Sequence, residues 1–115
     1  MIQRTRYAKG RTRAPKGMNK LEAEYALVLE GRKRSGEIID YRYEALTLKL
    51  GDDCRYTPDF MVMASDCVIE CHECKGPKAW DDAIVKLRVA AELFPFRFYL
   101  VKRDKAAGEW IIKSF

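Results

Sequence analysis

A chain of 115 residues, 48% hydrophobic and 34% charged, has the composition of a soluble globular protein with one modest core, too short for two domains. No apolar run approaches the roughly 20 residues of a membrane helix, and no apolar stretch follows the basic N-terminus as a secretory signal requires, so a cytoplasmic address is expected. Four cysteines in that compartment read as free thiols or metal ligands rather than disulfides.

The net charge of +5 is unevenly placed. Residues 1–20 carry Arg4, Arg6, Lys9, Arg11, Arg13, Lys16 and Lys20 with no acid, a sum of +7; the other 95 residues hold 15 basic and 17 acidic side chains, a sum of −2. The basic character therefore belongs to an N-terminal arm, residues 1–18, ahead of a folded domain over residues 19–115. Gly10, Pro15 and Gly17 punctuate the arm, and its lack of large aliphatics leaves it nothing to pack, so it is expected to be mobile when unbound. Phosphate contacts to a nucleic acid are its natural use, and a solubilising tail is the plain alternative.

From Asn19 the pattern turns helical. Leu21, Tyr25, Val28 and Leu29 recur at helical spacing, Gly31 or Gly36 offers an end, and Arg32, Lys33 and Arg34 suit the negative end of the helix dipole. Tyr41 to Leu50 alternates as a strand and Gly51-Asp52-Asp53 marks a turn. Arg55 to Met63 reads as a second strand with Pro58 near its start or at a bulge, and Cys67 to Lys75 as a third, stopped by Gly76-Pro77. Trp80, Ile84, Leu87, Ala91 and Phe94 form the stripe of a core-facing helix ended by Pro95. Phe96 to Val101 and Trp110 to Ile112 supply two more strands. The order predicts an α/β domain: an antiparallel three-strand meander, then a parallel crossover, in one mixed sheet flanked by helices.

Two segments carry candidate chemistry, Tyr56-Thr57-Pro58-Asp59-Phe60 and Glu73-Cys74-Lys75-Gly76. In a strand, Glu73 and Lys75 share a face and Cys74 takes the other, where a small buried thiol is at home. Asp59 sits on the neighbouring antiparallel strand, about 4.8 Å away, and could share one cation with Glu73 if the register is close. A hard ion such as Mg²⁺ takes a few carboxylate oxygens and keeps several waters; it stabilises charge developing on a phosphate and acidifies a bound water. Lys75 could orient or help deprotonate that water, or neutralise the phosphate. The reading that follows is a metal-dependent nuclease. A bare Glu-x-Lys is common, so the weight rests on the order of the elements.

In that order, from about Asn19 to about Val101, the chain resembles the PD-(D/E)xK nuclease superfamily, and within it small phage-encoded endonucleases that resolve Holliday junctions. The resemblance implies a restriction-endonuclease-like core and a Mg²⁺-dependent phosphodiesterase, with Mn²⁺ substituting, that leaves a 5′-phosphate and a 3′-hydroxyl. It implies Asp59 and Glu73 as metal ligands, Lys75 as the catalytic lysine, and a phage-infected or prophage-bearing bacterial cell as the setting. Cys74 departs from the family, whose members usually carry an aliphatic residue there. Many members add a glutamate from the first helix; Glu22, at the edge of the apolar face, is the candidate ligand. Asn19 with Glu22 also fits a capping box, and both readings stay open. Glu44, on the first strand, is a weaker candidate, since most exposed strand glutamates have no special role.

Cys54, Cys67, Cys71, His72 and Cys74 fall within 21 residues and raise a structural zinc, but paired cysteine-knuckle spacing is missing. Extended, Cys67 and Cys71 stand about 13 Å apart and Cys71 and Cys74 face opposite sides, so zinc needs that strand to be a loop. The lone His72 points away from Glu73 and Lys75, towards a packing or surface role. No phosphate-cradling glycine loop or serine nucleophile motif is present. The competing functions are a structure-selective DNA endonuclease acting on branched DNA such as a four-way junction, a nicking, repair or restriction-type nuclease, and a non-catalytic or zinc-stabilised nucleic-acid-binding module. Two cuts in one junction call for two sites, hence an expected homodimer.

Overall fold

The structure, a computed structural model, describes residues 17–76 and 82–115. Within them lie two helices, α1 (Lys20–Arg34) and α2 (Asp82–Leu93), and seven strands: β1 (Ile38–Tyr43), β2 (Leu48–Gly51), β3 (Cys54–Tyr56), β4 (Phe60–Ala64), β5 (Ile69–Lys75), β6 (Arg97–Asp104) and β7 (Glu109–Ser114). Five strands form one mixed sheet in the order β1-β4-β5-β6-β7, and β2 pairs β3 in a separate hairpin. β5 and β6 are parallel across α2, as the crossover pattern predicts, and the other neighbours are antiparallel. Among the described residues no helix is long and apolar enough to cross a membrane.

The expected meander needs correction. The alternation from Tyr41 to Leu50 is broken at Glu44, which takes a positive φ of 46° and ends β1; its amide N–H is bonded to the Asp59 carbonyl at 2.8 Å. The run from Arg55 to Met63 is divided by the buried Pro58, which has no N–H to give a ladder. The residues between the breaks leave the sheet as the β2–β3 hairpin.

That departure serves packing. On one face of the sheet α1 lays Tyr25 and Leu29 against Ile38, Phe60, Val62, Cys74 and Val101. On the other, Leu87 and Ala90 of α2 meet Cys71, Phe98 and Leu100, with Leu48 and Tyr56 of the hairpin completing the cluster. Two helices alone leave part of that second face open; the hairpin closes it. β5 runs through the middle, with Glu70 to Cys74 all buried, and its successive side chains serve opposite layers.

The α1 signals hold at both ends. Asn19 is the N-cap, the box with Glu22 is closed in both directions at 2.8 and 2.9 Å, and Arg32, Lys33 and Arg34 occupy the last turn. Glycine at position 36 has φ 86°, the left-handed conformation that lets the chain reverse into β1.

Candidate active site

The polar residues of the two motifs meet where β5 ends and β4 begins. The antiparallel register pairs Phe60 with His72, so Asp59, one step earlier, stands across from Glu73, one step later. β4 has stopped pairing here, and the Asp59 side chain takes over: its Oδ2 accepts the Cys74 amide N–H at 2.9 Å. Asp59 is 8% exposed and Glu73 4%. Glu73 Oε1 accepts the Tyr56 hydroxyl at 2.7 Å, and its Oε2 lies 3.5 Å from Lys75 Nζ. The carboxylates of Glu22 and Glu73 both lie close enough to Asp59 to act on its charge. Acids from α1, from the bend before β4 and from β5 therefore approach one another, with Lys75 beside Glu73.

Their burial has an electrostatic cost. Loss of solvent pushes the Asp59 carboxyl from its usual 3.8 up to about 8; the nearby Glu73 and Glu22 charges add to the rise, and the Cys74 N–H opposes it. Burial also raises Glu73, against the pull of the Tyr56 hydroxyl and the Lys75 ammonium. The Tyr56 phenol is driven far above its ordinary value by burial and then by Glu73, so it stays a proton donor. Near neutral pH, with no added cation, Asp59 is protonated and Lys75 compensates Glu73.

Glu22 forms the capping box and also comes to the edge of the acidic cluster. Its Oε1 closes the capping box with the Asn19 N–H and accepts the Tyr43 hydroxyl at 3.0 Å, and the same carboxylate borders Asp59. Glu44 lies just past β1, exposed. Among the described residues, no three of His, Cys, Asp and Glu are gathered tightly enough to hold a metal ion as they stand. Asp59 and Glu73, two neighbouring carboxyl groups beside a single lysine, do fit a hard divalent cation that binds through two carboxylates and keeps its waters. Zinc is a poor match for the cysteines: β5 is extended, Cys71 belongs to the α2 layer, Cys74 to the α1 layer, and Cys67 sits outside the strand at φ 68°.

Of the predicted nucleic-acid contacts, Lys20 is exposed in the first turn of α1. Arg4, Arg6, Lys9, Arg11, Arg13 and Lys16 lie outside the described residues. Two tyrosines hold the acids, and neither carries a local signal of that role. Tyr43 and Tyr56 come from the end of β1 and from the hairpin, and only the tertiary fold brings them in.

His72 belongs to a different cluster, in the α1 layer. Its Nδ1 is 2.7 Å from the Tyr25 hydroxyl and its Nε2 2.9 Å from Glu70, which Arg97 links at 3.3 Å in a chain ending at Asp66. A pocket of about 160 Å³ beside it is lined by Arg32, Glu70, His72, Tyr99 and Ile112. His72 therefore has a packing role on the side of β5 away from Glu73.

No protein-family model, no curated protein and no solved structure matches the chain.

Proposed function

We propose that this protein is a metal-dependent DNA endonuclease of the PD-(D/E)xK kind, with a restriction-endonuclease-like core, acting on branched DNA such as a four-way junction. The observation that carries the reading is the buried meeting of Asp59 and Glu73 across the β4–β5 register, with Lys75 3.5 Å from Glu73. A purely structural cluster has little reason to bury two adjacent acids, one of which is tolerated there near neutral pH only with a proton on it. A site built to receive a cation has that reason.

Asp59 and Glu73 would hold the ion, with Glu22 bordering Asp59. Bound there, Mg²⁺ or Mn²⁺ supplies a Lewis acid for the phosphate and a water of lowered pKa. The chain's own groups do the positioning. The Tyr56 hydroxyl and the Cys74 amide fix one oxygen of Glu73 and one of Asp59, and these two carboxylates would hold the ion. Lys75, on the same side of β5 as Glu73, offers its ammonium to the scissile phosphate or to the attacking water. The basic arm supplies phosphate contacts away from the cut, which position the protein on the nucleic acid without reading its sequence.

The test is incubation of the full chain with a synthetic four-way junction and with a matched linear duplex, in Mg²⁺ or in chelator. Metal-dependent cleavage of the junction in preference to the duplex is expected. Equal cleavage of both would move the protein to a nuclease of another specificity, and binding without cleavage would make it a binding module.

The arm makes its own prediction. Deleting residues 1–17 removes six basic side chains, and each phosphate contact contributes roughly 0.9 to the salt slope on duplex DNA. With all six engaged, the slope of log K against log salt falls by about 5. An unchanged slope in a filter-binding or anisotropy titration would make the arm a solubility tail.

A further inference from the structure

The two edges of the main sheet differ. β1 is broken by a register shift between Ile38 and Asp40, and Asp40 and Arg42 punctuate it. Bulges and charges of that kind discourage further pairing. β7 has no register shift, and its charges, Glu109 and Lys113, are of opposite sign. It pairs β6 without a shift from Glu109 to Ser114, and it exposes Ile111 at 52% and Ile112 at 45%. A regular six-residue edge with two exposed isoleucines is a template for another strand.

The backbone says which residues are available. The Phe115 N–H bonds the Phe98 carbonyl at 2.9 Å. By the alternation of an antiparallel ladder, the N–H and C=O groups of Glu109, Ile111 and Lys113 then face β6, while those of Trp110, Ile112 and Ser114 face outward. Any strand added to this edge must bond to the outward set.

We propose that β7 pairs antiparallel with β7 of a second copy, centred on Ile111, to make one continuous ten-stranded sheet. In that register Trp110 lies opposite Ile112 of the second copy, and both have outward backbone groups. Ile111 meets its own copy, and Glu109 lies opposite Lys113 twice, once on each side of the axis. Those last pairs are of the non-hydrogen-bonded type, in which side chains come closest, and opposite charges there stabilise the pairing. A slip of two residues either way keeps the backbone bonds but sets Lys113 or Glu109 against Ile111. The charge pattern of β7 thus favours one self-complementary register and a second copy of this chain as occupant.

The two-fold axis runs perpendicular to the sheet, so both Glu73–Lys75 clusters fall on one face, on the order of 25–30 Å apart from strand spacing and rise alone. Only this consequence rests on the nuclease reading; the pairing does not.

Sedimentation velocity of the full chain from low to high micromolar concentration tests it. The wild type is expected to self-associate to a dimer. Glu109→Lys or Lys113→Glu alone places like charges at both pairs and weakens association on the order of tenfold or more. Mixing the two single variants, or combining both changes in one chain, restores it. Ile112→Pro removes an outward N–H that β6 does not use, and is expected to give a monomer with unchanged circular dichroism. A wild-type monomer throughout, a dimer indifferent to Ile112→Pro, or single variants that fail to rescue each other would overturn the proposal.

Discussion

With Mg²⁺ present, Asp59→Asn, Glu73→Gln and Lys75→Ala are each expected to cut DNA slower than wild type by on the order of 10²–10³-fold or more, the usual loss when a group that stabilises transition-state charge is removed. Binding to the same DNA in chelator should change little, because the proposed phosphate contacts are those of the arm and Lys20, away from this cluster. The substitutions are close to isosteric at Asp59 and Glu73. Asn can still accept the Cys74 N–H at position 59, and Gln can still accept the Tyr56 hydroxyl at position 73. Loss of rate without loss of binding or fold is therefore the signature of chemistry. Full activity in any one variant would remove that residue from the mechanism.

The same cluster sets an unusual pH dependence of stability. Asp59 titrates near 3.8 in an unfolded chain and at about 8 in the folded one. Between those values the folded protein holds a proton that the unfolded chain has released, so stability falls as pH rises through the window. The raised Glu73 carboxyl acts in the same direction. In chelator, the wild-type melting temperature should drop from about pH 5 to about pH 8, relative to Asp59→Asn, which carries no such proton. At about pH 8 the variant should be the more stable protein by about 5 °C or more, since each kcal/mol shifts the midpoint by roughly 4–8 °C in a domain of this size. Parallel pH profiles would mean that Asp59 is ordinary and solvated.

Most elements were legible because their signals are local. Asn19 with Glu22 and the Leu21, Tyr25, Val28, Leu29 spacing define α1, and Ile84, Leu87 and Ala91 define the inward face of α2. Strand, helix, strand dictates the parallel β5–β6 pair. The β2–β3 hairpin was not legible. Strand-forming residues run on from β1 with only a change of apolar phase, from Tyr41 and Tyr43 to Leu46, Leu48 and Leu50, and what separates the strands is the conformation of Glu44 and the demand of the α2 face for Leu48 and Tyr56. The site divides the same way. The motif spacing brought Asp59, Glu73 and Lys75 together on adjacent strand ends. Their burial, the shared contact with Glu22, and the anchoring by Tyr43 and Tyr56 come from elements distant in sequence. His72 was assigned a packing or surface role, and its two buried partners, Tyr25 and Glu70, decide for packing.

The central claim is that Asp59 and Glu73 are built to take a divalent cation, and proton-linked metal binding tests it most directly. Because Asp59 holds its proton up to about pH 8, a cation bound there at about pH 7 must displace one. Calorimetric titration of the full chain with Mg²⁺ or Mn²⁺, repeated in buffers of different ionisation heat, reads that proton. The expected result is one cation per chain, released protons approaching one near pH 7 and vanishing above about pH 9, with both lost in Asp59→Asn. Binding that releases no proton, or that survives Asp59→Asn unchanged, would contradict the assignment, as would the absence of binding at any accessible metal concentration.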